Sequence, residues 1–314
     1  MKQLTVRQER VPSKLEGLMP LLESFLLSQD VRQGSRRTYK RSLRQFVEWL
    51  TREKIQNSTR ETILAYKGHL EAQGLSSLTL SNYLVAVRKF FEWTEGIKLY
   101  PNVARGVKGA KQSRSFRKDP LTVDQAKELL VSVPRSTLQG KRNFALLNLM
   151  VRTGLRTIEI VRANVGDIRQ EGGEAVLWIQ GKGRDAKDEF VLLTKDTLKP
   201  IRVYLRARGD TGDKSPLFTS LSNRNKNKRL TTRSVSGIVK QLLRSMGLDS
   251  GRLTAHSLRH TSITLALQGG ATIQEAQALG RHANINTTLI YAHNINRIAH
   301  APERRIDAVL SRTG

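Results

Sequence analysis

Apolar side chains recur at helical spacing along most of this chain, and the pattern changes to runs of strand length in one region. Residues 175–179 and 189–193 are short apolar segments on either side of a polar, Gly-containing turn, which predicts a β-hairpin. Helices are predicted before and after it. The sequence therefore predicts a mainly α fold in which the second part is α+β, with a small β-sheet.

Four helices are predicted in the first part of the chain, which we expect to form an all-α domain. Apolar positions at residues 18–26 and 39–50 have helical spacing, with Gly34 and Ser35 as the start signal of the second helix. Ser58 and Glu61 have the spacing of a capping box for the third. The fourth is predicted to begin near Ser76 and to place an aromatic cluster in the core, with a base-stacking platform as the alternative: Phe90, Phe91 and Trp93.

The length of 314 residues predicts two domains. We assign residues 1–112 to the helical domain and 113–120, a basic segment poor in aliphatic residues, to a linker. The second domain, 121–314, is predicted to open with a capping box formed by Thr122 and Gln125.

Positive charge is in excess in both parts of the chain. There are 54 Lys and Arg against 27 Asp and Glu, a formal net charge of +27. Residues 1–112 hold 20 basic and 10 acidic side chains, and 113–314 hold 34 and 17, so the balances are +10 and +17. Two basic domains suit a protein that binds a DNA duplex from two sides. The alternative is a well-solvated surface without a polyanionic partner.

Several classes of protein are excluded by composition. The chain has no Cys, which excludes disulfide scaffolds and Cys-based metal sites. It has no apolar stretch typical of a signal peptide and none approaching the roughly 20 residues of a membrane span. We therefore expect a cytoplasmic protein with no membrane partner.

Polar clusters in the second domain contain residue types that bind phosphate. Arg156 is predicted at a helix start with Glu159 one turn later, and Lys182 lies at the hairpin tip between glycines. His256 and Arg259 are three residues apart, so they share a helical face. Taken singly, the first pair is typical of a surface ion pair and Lys182 of a solvated turn.

A fourth cluster pairs His282 with Tyr291 nine residues later, and Thr287 and Thr288 between them are expected to cap the helix that carries Tyr291. Taken singly, Tyr291 is also compatible with an ordinary core position. Five of the six His follow residue 255, which raises the alternative of a metal site. No carboxylates lie nearby to complete one, and Arg259 would place a positive charge beside the metal, so no metal is predicted.

In order and spacing these clusters resemble the tyrosine recombinase family, also called the phage integrase family, which includes the Xer recombinases. The family pattern is an Arg in T-G-L-R-x-x-E, a hairpin Lys, H-x-x-R, a second His or Trp, and a Tyr nine residues later. The matching residues are Arg156, Lys182, His256, Arg259, His282 and Tyr291. The resemblance covers essentially the whole chain, with residues 1–112 as a core-binding domain. One departure is Arg281, because many relatives have Gly immediately before the second His and this chain has Gly280 one position earlier.

The resemblance implies cleavage of a DNA phosphodiester by Tyr291, leaving a 3′-phosphotyrosyl bond and a free 5′-hydroxyl. Arg156 and Arg259 would clamp the nonbridging oxygens with help from the two His, and Lys182 would protonate the leaving oxygen. No cofactor or metal is implied. Glu159 is expected to orient Arg156 or neighbouring backbone. Two further His are expected to be supporting or surface residues: His260 and His293.

The resemblance also implies a homotetramer, or a hetero-tetramer with a related recombinase, on two duplexes with inverted binding sites at the nucleoid. The tail, residues 295–314, would dock on a neighbouring subunit through Ile306, Val309 and Leu310, or else pack on its own domain. A DNA-binding regulator without chemistry and a monomeric type IB topoisomerase are the alternatives. Base readers are expected among Ser81, Asn82, Arg88, Lys89 and residues 223–233.

Overall fold

The computed structural model describes residues 18–110, 118–181, 183–209, 212–299 and 302–311. The chain divides into two compact units, Met1–Ser113 and Arg114–Gly314. Most of the predicted linker, residues 113–117, lies outside the described residues. Within the described residues, no helix is both long and apolar enough to cross a membrane.

The described part of the N-terminal unit is helical, as predicted. Its helices are α1 (Leu18–Ser28), α2 (Gln33–Arg52), α3 (Arg60–Ala72) and α4 (Ser77–Gly96). They enclose an aromatic core in which the Phe25 ring meets the ring of Phe90 edge to face at 5.6 Å. Phe90 and Phe91 are buried and Trp93 packs against them, so the prediction that this cluster belongs to the core is confirmed.

The start of α3 differs from the prediction by one residue. The N-cap is Thr59, whose Oγ1 accepts a hydrogen bond from the backbone N–H of Thr62, while Thr62 Oγ1 accepts from Thr59 N–H at 3.0 Å. The predicted box of Ser58 and Glu61 is therefore wrong. Two adjacent hydroxyl residues offer the same capping chemistry, and spacing alone does not distinguish them. The Ser58 carbonyl accepts instead from Tyr100 Oη at 2.6 Å.

The second unit is mostly helical, with a small sheet. Its helices are α5 (Val123–Val131), α6 (Leu138–Thr153), α7 (Thr157–Arg162), α8 (Lys195–Arg208), α9 (Thr232–Ser245), α10 (Ala255–Gln268), α11 (Ile273–Gly280), α12 (Asn286–Ala299) and α13 (Pro302–Leu310). The capping box of Thr122 and Gln125 opens α5 as predicted. Helix α6 is buried at the centre and packs against α5, α8 and α10.

The sheet contains β1 (Ile168–Glu171), β2 (Glu174–Ile179) and β3 (Glu189–Leu192) in antiparallel order. The predicted hairpin is β2 and β3, in which Val176 faces Leu192. Strand β1 was missed by the prediction, although Gly172 and Gly173 give its signal. Both have positive φ, as a two-residue hairpin turn requires. The predicted fold class, mainly α with a small sheet behind an all-α domain, is confirmed.

Candidate active site

Arg156 is positioned by the turn between α6 and α7. Gly154 is the C-cap residue of α6, and its φ of 60° lies in the left-handed region that favours glycine. Arg156 is then the N-cap residue of α7. The fully buried carboxylate of Glu159 accepts from Arg156 N–H at 2.7 Å and from Arg156 Nη1 at 2.8 Å. The predicted pair is thus a buried cap that holds both backbone and guanidinium.

Arg259 lies on α10 and is only 2% exposed. Its Nη1 donates to the Gly154 carbonyl at 2.7 Å, while Nη2 has no hydrogen-bond partner among the described residues. Burial lowers the pKa of Arg259 to about 9, and the positive charges of Arg156 and Arg281 act in the same direction. Arg259 therefore presents a buried, open donor that an anion would satisfy.

His282 follows α11 and is held from one side by α12. Its Nδ1 is 2.9 Å from Oγ1 of Thr288, which is buried in the first turn of α12. The prediction that Thr287 and Thr288 cap this helix is wrong, because α12 begins at Asn286 and Asn284 Oδ1 accepts from Asn286 N–H. Thr288 instead fixes the orientation of the imidazole, which leaves Nε2 as the other ring nitrogen.

Tyr291 lies on α12, 3% exposed, with its ring stacked on that of His282 at 6.0 Å between centroids. Burial raises the pKa of Tyr291 to about 12, although the charges of Arg259 and Arg156 oppose the shift. The phenol is therefore held in its neutral form close to both guanidinium groups.

His260 links His256 to Tyr291. Its ring centroid is 4.6 Å from that of His256 and 5.2 Å from that of Tyr291. His260 is buried, so of the two predicted roles the surface one is wrong. Burial lowers the pKa of His260 and of His282 to about 4, and also lowers that of His256. The imidazoles are thus neutral at pH 7. The side chain of His293 lies outside the described residues.

Lys182 lies outside the described residues, but the backbone on both sides of it is described. The Gly181 carbonyl accepts from Nη1 of Arg162, the last residue of α7, at 3.0 Å. The hairpin is therefore tied to the helix that Arg156 begins. Lys187, also between β2 and β3, forms an ion pair with Asp167.

The predicted base readers divide by exposure. Asn82 and Lys89 are exposed on α4, and Lys89 pairs with Glu92 at 2.8 Å. Arg229, within residues 223–233, is half-buried and donates to the Val161 carbonyl at 2.7 Å. Arg229 therefore holds the C-terminal end of α7.

Arg281 was absent from the predicted site residues, yet the structure places it among them. Its φ of 46° shows that this departure from the family pattern is an Arg in a conformation that favours Gly. Its Nη2 donates to Glu159 Oε2 at 2.9 Å and to the Gly154 carbonyl at 3.1 Å. Gly280 is also constrained, because a Cβ there would lie 2.8 Å from His282 Cε1. The displaced Gly280 was the feature of the sequence that could have indicated an unusual role for Arg281.

Helix α13 has the predicted apolar face in an exposed position. Ile306, Val309 and Leu310 are 57%, 67% and 69% exposed. Among the described residues this face does not pack on its own domain, which was the predicted alternative to docking on a neighbouring subunit.

Family models match both units of the chain. The model of the phage integrase family matches residues 120–297, and that of the phage integrase N-terminal SAM-like domain matches residues 21–96. The first match alone spans more than half of the chain. This chain belongs to the phage integrase family. The predicted family and class of enzyme, a tyrosine-type DNA recombinase, are confirmed by its similarity to proteins of that name.

Two tyrosine recombinases illustrate the similarity in sequence. XerD of Halalkalibacterium halodurans is 30% identical over 87% of this chain and 92% of its own length. XerC of Herpetosiphon aurantiacus is 30% identical over 88% and 90%. Both relatives match nearly from end to end, so the similarity includes both units.

Two solved structures show the same fold. XerH bound to palindromic difH substrate, in a post-cleavage complex, has a TM-score of 0.75 at 22% identity, covering 94% of this chain and 98% of that one. A lambda integrase dimer bound to a COC′ core site has a TM-score of 0.68 at 17% identity, covering 87% and 76%.

Proposed function

We propose that this tyrosine recombinase cleaves and rejoins DNA site-specifically through a covalent 3′-phosphotyrosyl intermediate on Tyr291. The observation that carries the proposal is the buried Arg259 guanidinium, whose Nη2 has no partner among the described residues. Burying such a charge is unfavourable unless an anion pairs with it. A phosphodiester oxygen would supply that anion beside the phenol of Tyr291.

The charges of the described site suit the transition state of phosphoryl transfer. Arg156, Arg259 and Arg281 carry three positive charges and Glu159 one negative charge, which leaves two positive charges. A phosphodiester has one negative charge, and its pentavalent transition state has about two. The site therefore balances the charge that develops during the reaction better than that of the bound substrate.

Each reacting atom has a proposed partner. Tyr291 Oη bonds to phosphorus as the bond from phosphorus to the 5′ oxygen breaks. The phenolic proton passes to neutral His256, which lies at the start of α10 and is linked to Tyr291 through the His260 ring. Lys182 protonates the 5′ oxygen, an assignment that rests on the family pattern and on its place in the hairpin.

The other proposed contacts hold the phosphate. Arg156 and Arg259 bind the nonbridging oxygens, and His282 donates through Nε2 because Nδ1 is engaged by Thr288. Rejoining reverses these steps, so the energy of the cleaved bond is kept in the phosphotyrosine and neither cofactor nor metal ion takes part.

Strand exchange through a Holliday junction requires several copies of the chain. The palindromic substrate of XerH and the lambda integrase dimer on its core site suggest two copies on one duplex with inverted sites. Two such duplexes bring together four copies of the chain, and α13 offers an exposed apolar face for contacts between these copies. We propose a homotetramer of this kind, or a hetero-tetramer with a related recombinase, with the helical unit as the core-binding domain.

The test compares the wild type with Tyr291→Phe and with Tyr204→Phe, which removes a phenol from the same unit. The probe is nicked duplex DNA from the region that flanks its own gene, in EDTA. We expect protein–DNA adducts that resist SDS for the wild type and for Tyr204→Phe, complete loss for Tyr291→Phe, and the adduct on the Tyr291 peptide by mass spectrometry. Tight binding without an adduct would support a regulator, and plasmid relaxation without recombinant product would support a topoisomerase.

A further inference from the structure

Arg281 has both an unfavourable backbone conformation and an unfavourable environment. Its φ of 46° and ψ of 50° lie in the left-handed region, which residues with a Cβ seldom adopt. Its side chain is 7% exposed, and burial lowers the pKa of its guanidinium. Strain of this kind persists where surrounding contacts hold it and is concentrated at functional sites. The contacts of Arg281 therefore show which groups stabilise its strained backbone and its buried charge.

The first contact is a carboxylate shared with Arg156. Glu159 accepts from Arg281 Nη2 at Oε2, 2.9 Å, and from Arg156 Nη1 at Oε1, 2.8 Å. The Arg281 carbonyl accepts in turn from Arg156 Nη2 at 3.2 Å. Two guanidinium groups on one carboxylate leave a net positive charge, so Glu159 does not neutralise Arg156 completely.

The second contact is a carbonyl shared with Arg259. The Gly154 oxygen accepts from Arg281 Nη2 at 3.1 Å and from Arg259 Nη1 at 2.7 Å. Arg281 also immediately precedes His282 in the chain. Its backbone conformation therefore sets the direction of the chain after α11, and with it the position of His282. Arg281 thus affects the position of three proposed phosphate-binding residues: Arg156, Arg259 and His282.

We propose that Arg281 is a positioning residue of the phosphodiester site, which balances the charge of Glu159 and thereby keeps Arg156 and Arg259 available to the scissile phosphate. This inference rests on the proposed function. It assigns Arg281 no direct contact with the substrate. The carboxylate of Glu159 orients Arg156, and Arg281 prevents the same carboxylate from neutralising it.

The test variant is Arg281→Gly, because Gly suits the left-handed backbone, so the side chain is removed without added backbone strain. We expect adduct formation on a nicked phosphodiester duplex to slow by about 100-fold, the loss typical of misplaced reacting groups. On the same duplex with an uncharged methylphosphonate at the mapped cleavage position, we expect a loss below about threefold. Its transition state carries about one negative charge instead of two, which the single net positive charge left in the site can balance. A general folding defect would lower both rates equally and would overturn the proposal.

A second variant tests the role of charge directly. In Arg281→Gly/Glu159→Gln the buried carboxylate is also neutralised, so we expect at least about tenfold recovery of the phosphodiester rate over Arg281→Gly alone. The matched control is Arg244→Gln. Arg244 is an exposed residue in the last turn of α9 that pairs with Asp249, and its variant should react at the wild-type rate. Absence of recovery in the double variant would contradict charge balance as the role of Arg281.

The two proposals fail in different ways. A wild-type protein that forms no adduct at Tyr291 would overturn the proposed function and this inference together. A wild type that forms the adduct, with Arg281→Gly reacting equally fast, would overturn the inference alone.

Discussion

The two units of this recombinase bury different kinds of side chain. Within the described residues, the core of the N-terminal unit is apolar and aromatic, and its buried polar residues are Ser42 and Thr94. The second unit also buries acidic and basic side chains: Arg142, Glu159, Asp167, Arg259 and His260. Apolar burial stabilises a fold, whereas buried ions lower stability unless each is well paired. We therefore expect the buried ions of the second unit to lower its stability, among them Glu159 and Arg259 at the proposed phosphate site.

The largest effect expected from this contrast is that of Arg259→Met. Removing a donor aimed at developing charge should slow adduct formation by about 100- to 1,000-fold. The free energy of unfolding should stay unchanged or rise by up to about 2 kcal/mol, because the buried cation is replaced by an apolar side chain of similar length. The Gly154 carbonyl keeps its hydrogen bond from Arg281. Single-turnover kinetics and urea denaturation measure the two quantities.

The contrasting control lies in the N-terminal unit. Leu84→Ala empties a fully buried apolar position and should lower the free energy of unfolding by about 2–5 kcal/mol. At saturating DNA the rate of adduct formation per folded molecule should match that of the wild type. If Arg259→Met lowers the free energy of unfolding as much as Leu84→Ala does, burial of the Arg259 cation does not reduce the stability of the second unit.

A smaller effect is expected from Gly280→Ala. The new Cβ would lie 2.8 Å from His282 Cε1, so the imidazole must move away from its present place. We expect adduct formation to slow by about tenfold. The stability should change by less than about 1 kcal/mol, since Ala favours the helix by a similar amount.

The matched control for that variant is Gly237→Ala, a glycine in α9 whose Cβ would meet nothing within 4 Å. It should gain about 0.5–1 kcal/mol of stability and react at the wild-type rate. Equal rates for the two glycine variants would mean that the place of His282 does not limit the reaction.

The same contrast explains how much could be predicted from the sequence. Local patterns predicted the helices of the apolar unit, the hairpin, and the pair of Arg156 and Glu159, because each depends on neighbours in sequence. The bond between Thr288 and His282 competes with helix capping, and spacing does not show which wins. The burial of Arg281 depends on Glu159 and Gly154, more than a hundred residues away in sequence, so no local pattern contains it.

The smallest expected effect is a dependence of stability on pH that arises in the second unit. Burial, followed by the charges of His256 and Arg259, lowers the pKa of His260 from 6.5 to about 4 in the folded chain. Between these values the unfolded chain binds a proton that the folded chain does not, so stability falls as pH falls. The slope from one such group is at most about 1.4 kcal/mol per pH unit. The lowered pKa of His282 acts in the same direction.

Urea denaturation of the wild type and of His260→Asn, from pH 7 to pH 4.5, measures this slope. The variant lacks the titrating imidazole, so its stability should fall less steeply below pH 6.5, by up to about 1 kcal/mol per pH unit. Parallel curves would show that His260 has an ordinary pKa, and the buried imidazole would then not belong among the groups that lower the stability of the second unit. A flatter curve for the variant places part of the acid sensitivity at the ring between His256 and Tyr291, where the chemistry is proposed to occur.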